Sequence, residues 1–408
     1  MRSVRSLRLV MGFAAVMAAV VMTGRWEPVA AGGTDGGYRV LKPIQSGDLT
    51  LFPVVRMDGK TVAADEFLTL DEGLKSGEVE VTEAGNVRGL VRSRGGAAPR
   101  YQGDQVNTLV LVNNSKRPLL LLAGEIVTGG KQDRVIAKDR IVPVGADPID
   151  LSVFCIEHGR WTESSAKFGA SANVAGAKAP AESFMVQPKV REQAMVAKNQ
   201  QQVWDSVSES VSVMAAAAPM ETVPSPPVGG AIHGNVVTGR SLGTTSYAKA
   251  MQMPAVSAEV DKEAAGMAAS REQALVTLRQ DHAVGVVVAV RGEVIWADIF
   301  SDTGLLTRYW TKLVRSYAAE GLGGSGAHGT ATMAEAQRFL DTPMQGREDS
   351  EGEVGVYRNR EVKSGGTDLF TLEALLPGTG YDVHVSRVKL KGMAAEGRVV
   401  QLGGAIIR

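Results

Sequence analysis

One cysteine, Cys155, is all that this chain of 408 residues contains, so no intramolecular disulfide can form and stability must come from packing. Aromatic residues are scarce at 5%, and Lys+Arg balance Asp+Glu at 44 each. Without a basic excess there is no nucleic-acid binder's footprint, and no polybasic stretch marks a membrane surface. The five histidines, at 158, 233, 282, 328 and 384, lie far apart. With no His-x-x-x-His pair and no second thiol, neither a metal nor a cofactor is expected. The Gly-x-Ser-x-Gly elbow of many serine hydrolases is missing, and no period of 20 to 50 residues repeats.

A leader pattern is present. Arg2, Arg5 and Arg8 precede an apolar run over 9–22, and Val29-Ala30-Ala31 supplies a small-residue cleavage pattern. The run is shorter than the roughly 20 residues a membrane span needs. The segment has no Cys, which excludes a lipoprotein anchor. Residues 1–31 therefore read as a signal peptide, with export to the periplasm or the exterior and no transmembrane anchor after cleavage. The remaining chain carries 40 basic and 43 acidic residues, close to neutral.

Residues 32–163 have β texture: short apolar runs over 49–55, 109–112, 119–122, 134–142 and 149–156 are separated by turn signals such as Met57-Asp58-Gly59 and Asn113-Asn114-Ser115. One helix is expected over 67–75, closing at Gly77. Residues 164–192 are rich in Ala, Ser and Gly and read as a flexible loop. Over 193–282 two apolar faces at helical spacing, Val196/Val203/Val207/Val211/Met214 and Val260/Ala264/Met267/Ala274/Leu275/Leu278, predict a helical pair joined by a disordered tether over 215–257. Residues 283–408 begin with a hairpin over 283–300. A helix with core face Leu306, Trp310, Leu313 and Tyr317 follows, its opposite face carrying Arg308, Lys312 and Arg315, and then strands are expected over 355–360, 369–375, 381–389 and 399–407. The fold class is α+β, a largely antiparallel sheet core with a few packed helices and long flexible internal loops.

Chemistry-bearing residues crowd into 119–161. Gly124, Gly129 and Lys131 evoke a phosphate loop, but Gly130 intrudes, Gln132 replaces the hydroxyl, and 135–142 reads as strand rather than helix. Strand alternation separates Cys155 from His158, so a Cys nucleophile lacks its base. Glu125, Asp133, Glu157 and His158 remain as acid/base candidates. Gly129, Gly130, Lys131, Gln132, Arg134, Arg160 and Trp161 are candidate ligand contacts, with Arg134 able to offer a bidentate fork. A solvated charged turn is the plainer reading of the same residues. Asp298, between Ala297 and Ile299 in an apolar strand, needs a partner if buried.

The run Leu122-Ala-Gly-Glu-Ile-Val-Thr-Gly-Gly-Lys-Gln-Asp-Arg134, followed by Asp139, Pro143 and Cys155-Ile-Glu-His-Gly-Arg-Trp161, resembles the family called the ARG and Rhodanese-Phosphatase-superfamily-associated Protein domain. Gly292–Phe300 and the helix through Trp310 and Tyr317 are similar to it too, a likeness spanning roughly 38–322. The family's activity is unassigned. Its name implies a link to ADP-ribose or nucleotide chemistry, and its motif directs attention to Glu125, Gln132, Asp133, Arg134, Glu157, Arg160 and Trp161. Two functions stay open: binding of a small polar or anionic ligand or an envelope protein, and a hydrolase-type enzyme acting on an ADP-ribose-like or nucleotide-linked substrate. A purely structural role is the third. The site readings require the two strand ends, 125–134 and 157–161, to meet in space.

Overall fold

The computed structural model describes residues 37–58, 66–83, 108–159, 164–165, 167–169, 184–218, 241–265, 271–323, 329–376 and 380–390. The leader, Arg160, Trp161, most of the expected tether and the expected strand over 399–407 lie outside them.

Strands are numbered in chain order: β1 Tyr38–Val40, β2 Ile44–Ser46, β3 Leu49–Arg56, β4 Leu68–Thr69, β5 Val79–Glu83, β6 Thr108–Asn113, β7 Leu119–Leu121, β8 Ile126–Val127, β9 Arg134–Ile136, β10 Arg140–Val142, β11 Ile149–Cys155, β12 Ala283–Val290, β13 Glu293–Phe300, β14 Arg347–Glu353, β15 Tyr357–Ser364, β16 Thr367–Ala374 and β17 Tyr381–Lys389. The main sheet is antiparallel, in the order β1-β3-β12-β13-β17-β16-β15-β14, with β2 also on β3. A second antiparallel sheet runs β5-β6-β11-β9-β8, and a third joins β10, β7 and β4, with β4 parallel to β7. The α+β class read from the sequence is the observed one.

β12, AVGVVVAV, is buried along its whole length, as its β-branched content favours. Gly285 lets β13 approach closely, since a Cβ there would sit 2.5 Å from the Asp298 carbonyl oxygen. Helices cover both faces of this sheet. Met333–Asp341 packs on the Phe52/Val287/Ile299 side. On the other side lies Thr303–Gly321, capped by Asp302, whose carboxylate accepts from Leu305 N at 3.0 Å. Its Leu306, Trp310, Leu313 and Tyr317 are buried as the spacing predicts, worth roughly 1.5–3 kcal/mol for each large apolar side chain.

The structure differs from several expectations. The run over 134–142 is two strands in two sheets, broken at 137–139 where Asp139 turns inward. The helix after β4 is Leu70–Ser76, starting later than expected because Thr69 and Glu72 form a capping box. Inside the expected loop, Pro188–Glu192 is a buried helix, with Pro at its first turn where the missing N–H costs nothing. The helical pair is Gln200–Ala217 plus three helices, Tyr247–Gln252, Pro254–Glu263 and Arg271–Gln280. The first two of these three begin within the supposed tether, where Tyr247, Ala248, Ala250 and Met251 are buried in the core. β14, REDSEGE, was not foreseen because it has no apolar alternation; the ladder to β15 makes it a strand. Among the described residues no helix is long and apolar enough to cross a membrane.

Candidate functional site

The two strand ends do meet. Arg134 pairs with Cys155 across β9 and β11, Ile156 N donates to Asp133 O at 3.0 Å, and Asp133 N lies 3.4 Å from Glu157 Oε2. What they build is interior. Asp133 accepts from Gly129 N (3.1 Å) and from the Ser246 hydroxyl (2.7 Å), while Glu157 pairs with Lys249 at 2.9 Å, so the helix Tyr247–Gln252 closes over the block. The backbone donors that could have cradled an anion are committed: Gly130 N to Ser165 O and Lys131 N to Glu83 Oε1. Arg134, buried, gives its Nη1 to the Gln132 carbonyl at 2.5 Å, which turns one arm of the expected ligand fork onto the chain itself. The Gln132 side-chain amide is wholly buried without a hydrogen-bond partner among the described residues. Burial raises the Cys155 thiol pKa, which keeps it a poor nucleophile, and Gln200 brackets its backbone N and O at 2.9 Å each. His158 is exposed and meets Trp204 edge-on at 4.8 Å.

Glu125 belongs to a different cluster. Its Oε2 accepts from Leu122 N (2.7 Å) and its Oε1 takes Lys312 (2.5 Å), which also reaches Asp71 (2.6 Å) and lies 4.7 Å from the Tyr309 ring centroid. Burial pushes the Glu125 carboxyl up against the pull of Lys312. Lys312 stays charged because Asp71 and Glu125 outweigh its own burial. The cationic face of the long helix is thus turned into the protein: Arg308 holds Glu72 and the Phe67 carbonyl, and Arg315 holds Asp261.

Behind the block lies a network that the sequence did not reveal. Asp139 accepts from Ala123 N at 2.7 Å, and its other oxygen is 2.6 Å from His384 Nδ1. His384 Nε2 lies 3.2 Å from Asp298, which also takes Arg191 (2.7 Å), the Ser386 hydroxyl (2.7 Å) and the Tyr317 hydroxyl. All of these side chains are buried. Gly124 makes it possible. Its φ of +94° suits glycine, and a Cβ there would stand 2.9 Å from Arg191 Cδ, in the path of the guanidinium. Burial alone would lower the His384 pKa, yet Asp139 and Asp298 carry it up to about 9, so the ring is a buried imidazolium between two carboxylates. Asp298 is held far below the ordinary carboxylate range: burial opposes this, and Arg191 followed by His384 overcomes it.

The opening in this region is a cleft of about 610 Å³. One wall is the outer main sheet, including Glu351, Asn359, Glu361 and Phe370; the other is the link 137–139, strand β11 from Ser152 to Phe154, and the turn bearing Ala194, Met195 and Lys198. That turn is a π-helix, Gln193–Ala197, a form frequent at functional sites. It ends in Lys198 at φ 51°, a left-handed conformation uncommon for a non-glycine residue. Lys198 crosses to Glu361 at 2.7 Å and Lys138 crosses to Glu351 at 2.8 Å. Nearby Asp368, buried and then pressed by Glu361, has its carboxyl pushed up to about 6.

The candidates therefore separate. Asp133, Glu157 and Arg134 cluster, Glu125 sits with Lys312, and His158 stands apart at the surface. Apart from Asp139, sequence reasoning passed over the cleft residues because none belongs to a motif. His384 and Ser386, two apart on an apolar strand and so on one face, were the available signal for the network. A family model described as the ARG and Rhodanese-Phosphatase-superfamily-associated Protein domain matches residues 37–388. No curated protein and no solved structure matches the chain.

Proposed function

Because the chain belongs to the ARG and Rhodanese-Phosphatase-superfamily-associated Protein domain family, whose distinctive block here is an interior brace beside an open cleft, we propose that the protein is an exported binding domain for a small polar ligand. The ligand occupies the cleft between the 137–139 link and strands β14–β16. The observation carrying this reading is the cleft itself: its volume falls in the range of small-molecule sites, and it joins an apolar floor to a rim of charges. Of the motif residues, Asp139 lines the cleft and its carboxylate reaches back to Ala123 N and His384, while Ser152–Phe154, just before the motif's Cys155, form part of the wall. The leader pattern supports export, with cleavage after Ala31 as the expected product of expression in a secreting host; a mature N-terminus at Met1 would reject it.

Thermal-shift panels of nucleotides, sugars and peptidoglycan fragments test the binding. A ligand at one hundred times its Kd adds roughly 2.7 kcal/mol, and the ¹³C-methyl resonance of Met195, assigned with Met195→Leu, reports whether it sits in the cleft. Stabilisation that leaves Met195 unmoved would place the site elsewhere. The hydrolase reading, on an ADP-ribose-like substrate, draws on the family's name and on the Glu361–Asp368 pair, where a proton is held near pH 6. Release of product from ADP-ribose derivatives, abolished by Asp368→Asn, is its test.

A further inference from the structure

Two ion pairs cross the cleft in the same sense. Lys198 and Lys138 stand on the wall formed by the π-turn and the 137–139 link, and their partners Glu361 and Glu351 stand on the sheet. The lysine side chains are 57% and 36% exposed, so each is released into water when its bridge opens; Glu361 itself is 10% exposed and keeps a second partner, Lys363, at 3.2 Å. The apolar lining comes from both walls, Met195 and Phe154 from the first and Phe370 from the sheet, the two phenylalanines half-buried. A site with carboxylate receptors on one wall, ammonium receptors on the other and an aromatic floor is matched by one kind of molecule: a zwitterion with an apolar body.

Resting on the cleft being the ligand site, we propose that its ligand is a short peptide with free termini. Its carboxylate displaces Glu361 from Lys198, its ammonium takes the vacated glutamate, and its apolar side chains lie on Phe154, Met195 and Phe370. Anionic ligands such as nucleotides fit less well, because each cation lining the cleft already has an acid beside it, Glu361 at Lys198, Glu351 at Lys138 and Asp382 at Arg360, that would repel a phosphate. A volume of about 610 Å³ exceeds what a single amino acid fills and suits two or three residues. The exchange is balanced in charge: the Lys198–Glu361 pair opens, Glu361 keeps Lys363, and two pairs to the ligand form, with no net charge buried.

Calorimetry on the full chain with leucylphenylalanine, its N-acetyl form and its C-amide is the experiment. The free dipeptide is expected to bind, with each capping weakening it at least tenfold. In Glu361→Gln the penalty for N-acetylation disappears while that for amidation remains; in Lys198→Met the reverse holds. Both substitutions lie at the cleft rim and retain the fold, which circular dichroism checks. Equal binding of capped and free peptide, or penalties untouched by both variants, overturns the proposal. If leucylphenylalanine leaves the Met195 methyl unmoved while ADP-ribose or a sugar shifts it, the cleft remains a ligand site and the peptide reading falls. If no member of a peptide, nucleotide and sugar panel shifts it, both fall.

Discussion

The interior network and the cleft rim use the same chemical groups to opposite ends. In the interior, Arg191, His384, Asp139 and Asp298 are buried, and each carboxylate oxygen meets a donor. At the rim, Lys198–Glu361 and Lys138–Glu351 have comparable distances but stand in water on at least one side. Burial of both partners, not distance, separates them. A buried charge that loses its partner is stranded, whereas an exposed one is rehydrated. The described motif residues Glu125, Asp133, Arg134, Asp139 and Glu157 accordingly lie on the buried side of this comparison, and the two lysines of the rim lie outside the motif.

The comparison breaks first at Asp298. Asp298→Asn leaves Arg191 and His384 facing a neutral group in a dry interior and is expected to cost on the order of 3–5 kcal/mol in urea unfolding; a loss below about 1 kcal/mol would mean the network is hydrated. The titration of His384 comes next. With the folded pKa raised to about 9 from an ordinary 6.5, the folded state binds the extra proton between those values. The stabilisation is complete below pH 6.5 and is lost as pH rises toward 9, at about 1.4 kcal/mol per pH unit. Urea midpoints across pH 6 to 10 measure it, and His384→Gln should flatten that slope. Gly124→Ala tests the space reserved for Arg191: strain at positive φ and the clash with the guanidinium stem predict a loss of about 1–3 kcal/mol. The smallest effect sharpens the contrast from the other side. Lys198→Met should change stability by no more than about 1 kcal/mol, and a larger loss would move this pair into the class of the interior ones.

Much of the fold was legible because local periodicity wrote it. The nearly continuous apolar run of 283–290 and the Gly292 turn marked the hairpin, and the spacing of Leu306, Trp310, Leu313 and Tyr317 marked the long helix and its face. The block was recognisable as a family motif and as two strand ends, which β9 and β11 do bring together. Its burial was not legible. Charges look solvated in sequence, and the partners that make them otherwise are remote: Lys312 is 187 positions from Glu125, and His384 is 245 from Asp139. The long helix misled for the same reason, since Arg308, Lys312 and Arg315 trace a solvent stripe until the other half of the chain arrives with acids. The cleft was invisible because its walls come from three distant segments, and Lys198 owes its place to a π-turn that no periodicity announces.

The break between β9 and β10 has a mechanical consequence. Residues 137–139 tie two sheets together in a few bonds: Lys138 reaches out to Glu351 and the next residue reaches in to His384. The link behaves as a short lever with one arm in solvent and one in the core. If the proposed ligand seats against Lys138, it bears on the residue next to the carboxylate that holds the imidazolium. Slowed exchange of the His384 ring proton on ligand addition would be the trace of that load passing inward.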